Sequence, residues 1–300
     1  MVTLRQIVFV HVPGASKQSL DAALDIALRF QAKLSIVSAI EGISRWRSFL
    51  TFDSKPLQEF ETIAVHERQD AIADINQGRI PESDILVKVG SPLEIISDHA
   101  RQAGADLIMK AGVPEETSEW KLMGGLAVQL IRYAPCNVLI WQNDHDSNMC
   151  RLLTAIDPSP DEADAATTHI LKWADAFRHL CGATNSILNC WEFMGEKMLT
   201  GSRLNLSANE IFLLKEQIKS RHEQVTRRAL KLAGIKLEHC QPLYKEGDPA
   251  DLVPEMSEKL DVDLVIIGAS SSNMISHLLI GRTSERIMKK LTRSLLIIRQ

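Results

Sequence analysis

The chain reads as an α/β protein built on a parallel, doubly wound sheet, with the pattern run through twice. Three observations predict this. Short apolar runs alternate with helical periodicity along the whole sequence, the arrangement that buries strands on both faces. The pattern breaks at a polar stretch, residues 143–149, and then restarts. Five landmarks also recur at one spacing: Gly90 and Gly247, Pro92 and Pro249, Asp106 and Asp263, Gly124 and Gly281, and Ile140 and Ile297 each stand 157 apart. A repeat unit this long means two similar domains, at 1–142 and 150–300, and not a solenoid of short repeats.

The elements follow in order. The first strand is Ile7–Val12, closed by Pro13 and Gly14. A helix follows with Leu20, Ala23, Leu24, Ala27 and Leu28 on one face. Lys33–Ile40 is the second strand. Residues 41–55 form a loop whose Trp46, Phe49 and Phe52 either clamp it on the core or line a hydrophobic ligand pocket. Pro56 opens a helix that runs to about Gly78. Asp84–Val89 is the third strand. Gly90 and Ser91 lead into a helix with Ser91 as its N-cap. Ala105–Met109 is the fourth strand, a short helix covers about 125–133, and Asn137–Trp141 is the fifth strand. The second half repeats this with a strand at Leu152–Asp157, a helix at about 161–181, a strand at 184–191 and a long helix at 207–233. Ser207 and Glu210 have capping-box spacing there. Strands at about 236–244, 262–267 and 294–298 complete the set.

Composition narrows the function. The residues are 45% hydrophobic and 24% charged, as in a globular protein, and the net charge of −4 gives no electrostatic case for a nucleic-acid partner. No apolar run approaches the roughly 20 residues that span a bilayer, so no membrane partner is expected. The N-terminus enters a strand without a signal-peptide layout. The five cysteines (Cys136, Cys150, Cys181, Cys190, Cys240) are scattered, with no CxxC pair. That pattern predicts reduced thiols and a cytoplasmic location, with neither a disulfide framework nor a zinc site.

One run carries the chemistry, from Asp263 to Arg286. Leu264–Ile267 is a buried parallel strand that ends at Gly268. A loop rich in Ser and Asn follows. Gly281 and Arg282 then lead into a helical pattern with Ile287, Met288 and Leu291 on one face. Backbone N–H groups and a helix dipole make such a junction a place for phosphate. By itself it reads as an ordinary strand–loop–helix connection before it reads as a ligand site.

The spacing goes further. It resembles the nucleotide loop of the universal stress protein family: Gly, two residues, Gly, nine residues, Gly, then a small hydroxyl residue. Gly268 and Gly281 supply two of the three glycines at the right interval. Ser271 stands at the second, and Arg282 follows the third where the family usually has Ser, Thr or Asn. Each half is similar to one domain of this family. The resemblance implies an adenine nucleotide alpha hydrolase-like fold, five parallel strands per half in the order 3-2-1-4-5. It implies that the terminal strands, Val138–Trp141 and Leu295–Ile298, pair with each other as they do between single-domain members. The chain is then an intramolecular pseudo-dimer, with further oligomerisation allowed. The implied ligand is ATP or another adenine nucleotide, held at the carboxyl ends of strands one and four, where the strand order reverses.

On that resemblance the second half holds the site. Ile156, Asp157 and Pro158 close its first strand, with Asp157 meeting the adenine. Ile267, Gly268, Ser271, Gly281, Arg282, Thr283 and Ser284 surround ribose and phosphates. Asp157 reads equally as a turn or capping residue before Pro158. Arg282 either contacts phosphate or blocks its place. In the first half Val12 replaces the Asp, and Ala111, Pro114, Gly124 and Gly125 occupy the loop positions. Pro114 removes a donor, and Glu115, Glu116 and Glu119 repel an anion. Nucleotide is therefore expected in the second half only.

Other candidates are weaker. His11 lies in an apolar strand, as a buried hydrogen-bonded histidine does more often than a ligand. His145 with Asp144 and Asp146 reads as a solvated linker before it reads as a metal site, and no metal is expected. His277 reads as solvent-exposed before it reads as a phosphate contact. The sequence holds no nucleophile–base pair, no paired carboxylates at a strand end and no Walker lysine. The expected function is a stress-response protein that binds a nucleotide and is not an enzyme. The alternatives are a protein of the same fold acting through protein contacts or a hydrophobic small molecule, and a slow ATP hydrolase.

Overall fold

The computed structural model describes residues 2–42, 55–112, 125–142, 149–158, 165–193, 206–269 and 282–299. In the first half these form β1 (Gln6–Val10), α1 (Lys17–Phe30), β2 (Lys33–Ile40), α2 (Lys55–Asn76), β3 (Ile85–Val89), α3 (Pro92–Ala103), β4 (Leu107–Ala111), α4 (Gly125–Tyr133) and β5 (Asn137–Trp141). The second half repeats them as β6 (Arg151–Ile156), α5 (Ala165–Cys181), β7 (Thr184–Trp191), α6 (Ala208–Ala233), β8 (Gln241–Glu246), α7 (Pro249–Lys259), β9 (Leu264–Gly268), α8 (Arg282–Lys290) and β10 (Ser294–Ile298).

The ten strands form one sheet in the order β3-β2-β1-β4-β5-β10-β9-β6-β7-β8. Each half has the expected 3-2-1-4-5 order with parallel neighbours. The halves meet where β5 and β10 pair antiparallel. Left alone, each would be an apolar edge open to unwanted pairing. Together they become the centre of the sheet.

The register of this seam is that of a two-fold axis. Leu139 pairs with Leu296, its own equivalent 157 residues on, and both are fully buried. Two hydrogen bonds flank it symmetrically. Gln142 N donates to Ser294 Oγ at 3.0 Å, and Arg299 N donates to Asn137 Oδ1 at 2.8 Å. The Arg299 guanidinium also donates to the carbonyls of Ile131 (2.6 Å) and Arg132 (3.2 Å), so a second-half cation caps the end of α4. Arg132 pairs in turn with Glu285 in the first turn of α8. On one face α1 packs against α5, with the Phe30 and Phe177 rings 5.1 Å apart and Arg29 Nη1 donating to the Leu180 carbonyl at 3.0 Å. Both core layers draw residues from both halves.

The repeat landmarks have structural reasons. Asp106 accepts from the Arg5 and Gln6 amides (2.6 and 3.2 Å), and Asp263 accepts from those of Cys150 and Arg151 (2.9 and 2.8 Å). Each carboxylate therefore ties the start of its half's first strand to the fourth. Gly90 and Gly247 both take positive φ, 151° and 138°, at the turn into the next helix. A side chain is strained there, and a Cβ would press on Ile95 and Leu252, at 3.2 and 3.3 Å.

Several expectations are corrected. Ser91 occupies the N-cap of α3 but makes no side-chain cap bond, whereas Asp248, its counterpart at α7, accepts from Ala250 N at 2.8 Å. The strand expected at 236–244 starts later, because Leu237–His239 form a 3₁₀ turn. The strand expected at 105–109 runs over Leu107–Ala111. The Ser207–Glu210 capping box is present in both directions, 3.3 and 2.8 Å. The aromatic loop 41–55 falls almost entirely outside the described residues.

Truncating either axis leucine should damage the whole sheet. Leu139→Ala and Leu296→Ala should each cost about 2–5 kcal/mol. The effects should be similar, and the double variant should lose less than their sum because the two side chains are direct neighbours. Urea unfolding of the three variants checks this.

Candidate functional site

A cavity of about 380 Å³ opens in the second half at the carboxyl ends of β6 and β9, where the strand order reverses. Its floor is Ala155, Ile156 and Asp157 from β6 and the residue after it, with Ile267, Gly268 and Ala269 from the end of β9. Ala166, Thr167 and Ile170 of α5 form one wall. Pro249 and Val253 of α7, with Thr283, Ser284 and Ile287 of α8, form the other. Leu188 and Cys190 of β7 complete the lining.

Six of the ten residues expected from sequence line this cavity: Ile156, Asp157, Ile267, Gly268, Thr283 and Ser284. Pro158 is buried just beyond Asp157 and is not part of the lining. Arg282 is exposed at the first position of α8 and also lies outside it. Ser271 and Gly281 fall outside the described residues, as do His145, Asp144, Asp146, His277, Pro114, Gly124 and the glutamates at 115, 116 and 119. Among the described residues no group of acidic, His or Cys side chains could hold a metal ion. No described helix is long and apolar enough to cross a membrane.

Sequence reasoning missed the parts of the walls that come from α5, α7 and β7. Pro249 was legible as a repeat landmark, but nothing in the local sequence joined it to β6. Gly268 has a packing reason of its own: a Cβ there would stand 2.5 Å from Ile170 Cδ1, so the strand end and α5 approach closely.

The end of β6 is held from behind. His222 Nδ1–H of α6 donates to Asn189 Oδ1 at 2.8 Å, and Asn189 Nδ2 donates to the Ile156 carbonyl at 3.4 Å. This chain fixes the backbone just before Asp157. Burial holds the His222 pKa below its ordinary value, with Asp157 pulling the other way. On the cavity side, burial and then Asp157, Asp248 and Glu192 push the Cys190 thiol up to about 12, so it is an uncharged wall. Ser284 is buried, with its hydroxyl 3.5 Å from the Gly268 carbonyl. The first-turn N–H groups of α8 have no partner inside the helix.

The first half carries the same scaffold with different contents. Ile7 lies beside Leu107 and Leu152 beside Leu264, so His11 is equivalent to Ile156 and Val12 to Asp157. Ser38, the counterpart of Asn189, donates to the His11 carbonyl at 2.9 Å. Arg68 Nη1 donates to Ser38 at 2.8 Å. His11 is buried, as its sequence context suggests. Lys110 takes the place of Ile267; it is 3% exposed, and its Nζ donates to the Ala111 carbonyl at 2.8 Å. An ammonium therefore stands where the second half has an apolar cavity wall.

The chain matches the universal stress protein family over residues 4–142 and again over 149–299, and it belongs to that family. It is 24% identical over 211 residues to a universal stress protein E homolog of Haemophilus influenzae, covering 68% of this chain and 65% of that protein's length. A putative universal stress protein of Staphylococcus aureus is 25% identical over 143 residues, 47% of this chain and 85% of its own. Among solved structures, a putative universal stress protein from Pseudomonas aeruginosa superposes with a TM-score of 0.67 at 19% identity, covering 98% of this chain and 93% of that one. A universal stress protein from Archaeoglobus fulgidus gives 0.61 at 14% identity, over 98% and 96%. These likenesses bear on the fold and on its doubling.

The buried first-half histidine gives a pH test. Burial, and then the Arg68 charge, lower the His11 pKa from 6.5 to about 4. The unfolded chain therefore binds a proton between these values that the fold does not. Stability should be full above pH 6.5 and fall as pH drops towards 4, by about 3 kcal/mol from this residue. His11→Gln should reduce the stability difference between pH 7 and pH 4 by about that amount, read from urea unfolding at the two pH values.

Proposed function

We propose that this chain is a cytoplasmic stress-response protein that binds one adenine nucleotide in its second half and acts as a binding protein, not an enzyme. The observation that carries the reading is the cavity at the β6–β9 switch point, whose lining includes Asp157 and the first turn of α8. Its apolar walls suit the faces of a purine. Asp157, exposed at the strand end, is placed to accept a hydrogen bond from an exocyclic amine. The start of α8 offers backbone N–H groups to phosphate. Arg282, exposed at the same helix start, is the cation assigned to phosphate in this reading.

Catalysis finds no support in the lining. Among the described lining residues its hydroxyls, Thr167, Thr283 and Ser284, have no histidine to act as base. Cys190 is held protonated. The asymmetry rests on Lys110, His11 and Val12, which fill or replace the corresponding positions of the first half.

Isothermal titration with ATP should give a stoichiometry near one per chain. Asp157→Ala should weaken binding about ten- to hundredfold, from a lost hydrogen bond of about 1–3 kcal/mol. Arg282→Ser should weaken ATP more than adenosine. Two sites per chain would refute the asymmetry. No binding at all would favour the nucleotide-free reading, and turnover at about 1 per second or faster would refute the non-enzymatic one.

A further inference from the structure

Two cysteines lie on neighbouring segments of the second half, away from the cavity. Cys150 immediately precedes β6 and is exposed; Cys181 is the last residue of α5 and is partly buried. The β6–β7 register brings the two segments together: Arg151 pairs with Thr184, and the Cys150 carbonyl accepts from Thr184 N at 2.8 Å and from its hydroxyl at 3.3 Å. The chain returns from Cys181 to Thr184 through a tight turn, with Gly182 at φ 63° and Ala183 N bonded to the Arg178 carbonyl. A cation stands over the same corner. Arg29 Nη1 donates to the Leu180 carbonyl at 3.0 Å, and its Nε is bound to Asp25 at 2.7 Å. Both thiols act on the charge of Arg29, and Cys150 acts on that of Cys181.

The thiols differ in a useful way. Cys150 is open to solvent and so meets a small oxidant first. Burial pushes the Cys181 thiol up to about 11, so at neutral pH it stays protonated and shielded until a partner sulfur comes within reach. Those are the attributes of a reacting and a resolving cysteine.

We propose that Cys150 and Cys181 form a reversible disulfide when the protein meets a peroxide. The Cys150 thiolate attacks one peroxide oxygen, the O–O bond breaks, and Cys150 becomes a sulfenic acid as hydroxide leaves. The Cys181 sulfur then attacks the sulfenic sulfur. The S–S bond forms as the S–O bond breaks, and the departing hydroxide takes the Cys181 proton to leave as water. The first hydroxide takes up the proton that Cys150 released on ionising, so two thiols and one peroxide become one disulfide and two waters. The bond would close a ring of chain around α5, whose first turns form a wall of the cavity.

The test uses the full chain, treated with hydrogen peroxide and then quenched. Its intact mass should fall by two hydrogens, peptide mapping should join the Cys150 and Cys181 peptides, and a dithiol reductant should restore the mass. Cys150→Ser and Cys181→Ser should each abolish the link, while Cys136→Ser should keep it. The proposal is overturned if Cys150 gains oxygen as sulfinic or sulfonic acid without a cross-link. It is equally overturned if Cys150 links two chains, or if the bond joins other cysteines.

Discussion

The antiparallel pairing of β5 with β10 is the contact on which the rest of this molecule depends. Two five-stranded sheets with bare apolar edges would each expose a row of unpaired backbone groups. Joining the edges satisfies both and continues the core across them. The joint is self-complementary: Leu139 lies against Leu296, and the Asn137 and Ser294 side chains each receive an amide from the opposite half. Arg299 then reaches across to the end of α4. A register slip of one residue would turn the buried leucines to the other face, so the seam also fixes the orientation of the halves.

Symmetry at the seam leaves the two crevices free to differ. Both halves tie the first strand to the fourth with an aspartate, Asp106 or Asp263. Both brace the carbonyl at the end of the first strand from the same position on the second, Ser38 or Asn189. The scaffold is thus kept twice. What changes is the handful of side chains set on it. Lys110 brings a charge where Ile267 is apolar, and Val12 brings a methyl surface where Asp157 brings a carboxylate. An ammonium buried in the first crevice is costly unless hydrogen-bonded. Its bond to the Ala111 carbonyl contributes one such contact and directs it along its own strand.

Much of the fold was legible because burial on both faces writes strands as unbroken apolar runs. The recurrence at 157 residues identified the doubling before any strand was paired. The site was only half legible. Asp157, Gly268 and Ser284 lie in short stretches with their own local signals. Leu188, Cys190, Ala166 and Val253 look like ordinary core residues and become a wall only when three separate elements converge. Lys110 sits at the end of an apolar run where a loop would equally well begin, and its burial follows from β4 running two residues further than its pattern suggests. β8 starts later than its apolar pattern suggests because Leu237 before it belongs to a 3₁₀ turn. Ser91 fills a cap position without capping, since position alone does not orient a hydroxyl.

One scaffold is used twice, and the crevice of the second half is the one proposed to take nucleotide. Amide hydrogen exchange with and without saturating ATP tests it most directly. Protection should rise at residues 152–157, 264–269 and 282–288, with the counterparts at 7–12, 107–112 and 125–131 unchanged. Comparable protection in both sets, or protection confined to the first half, would contradict it.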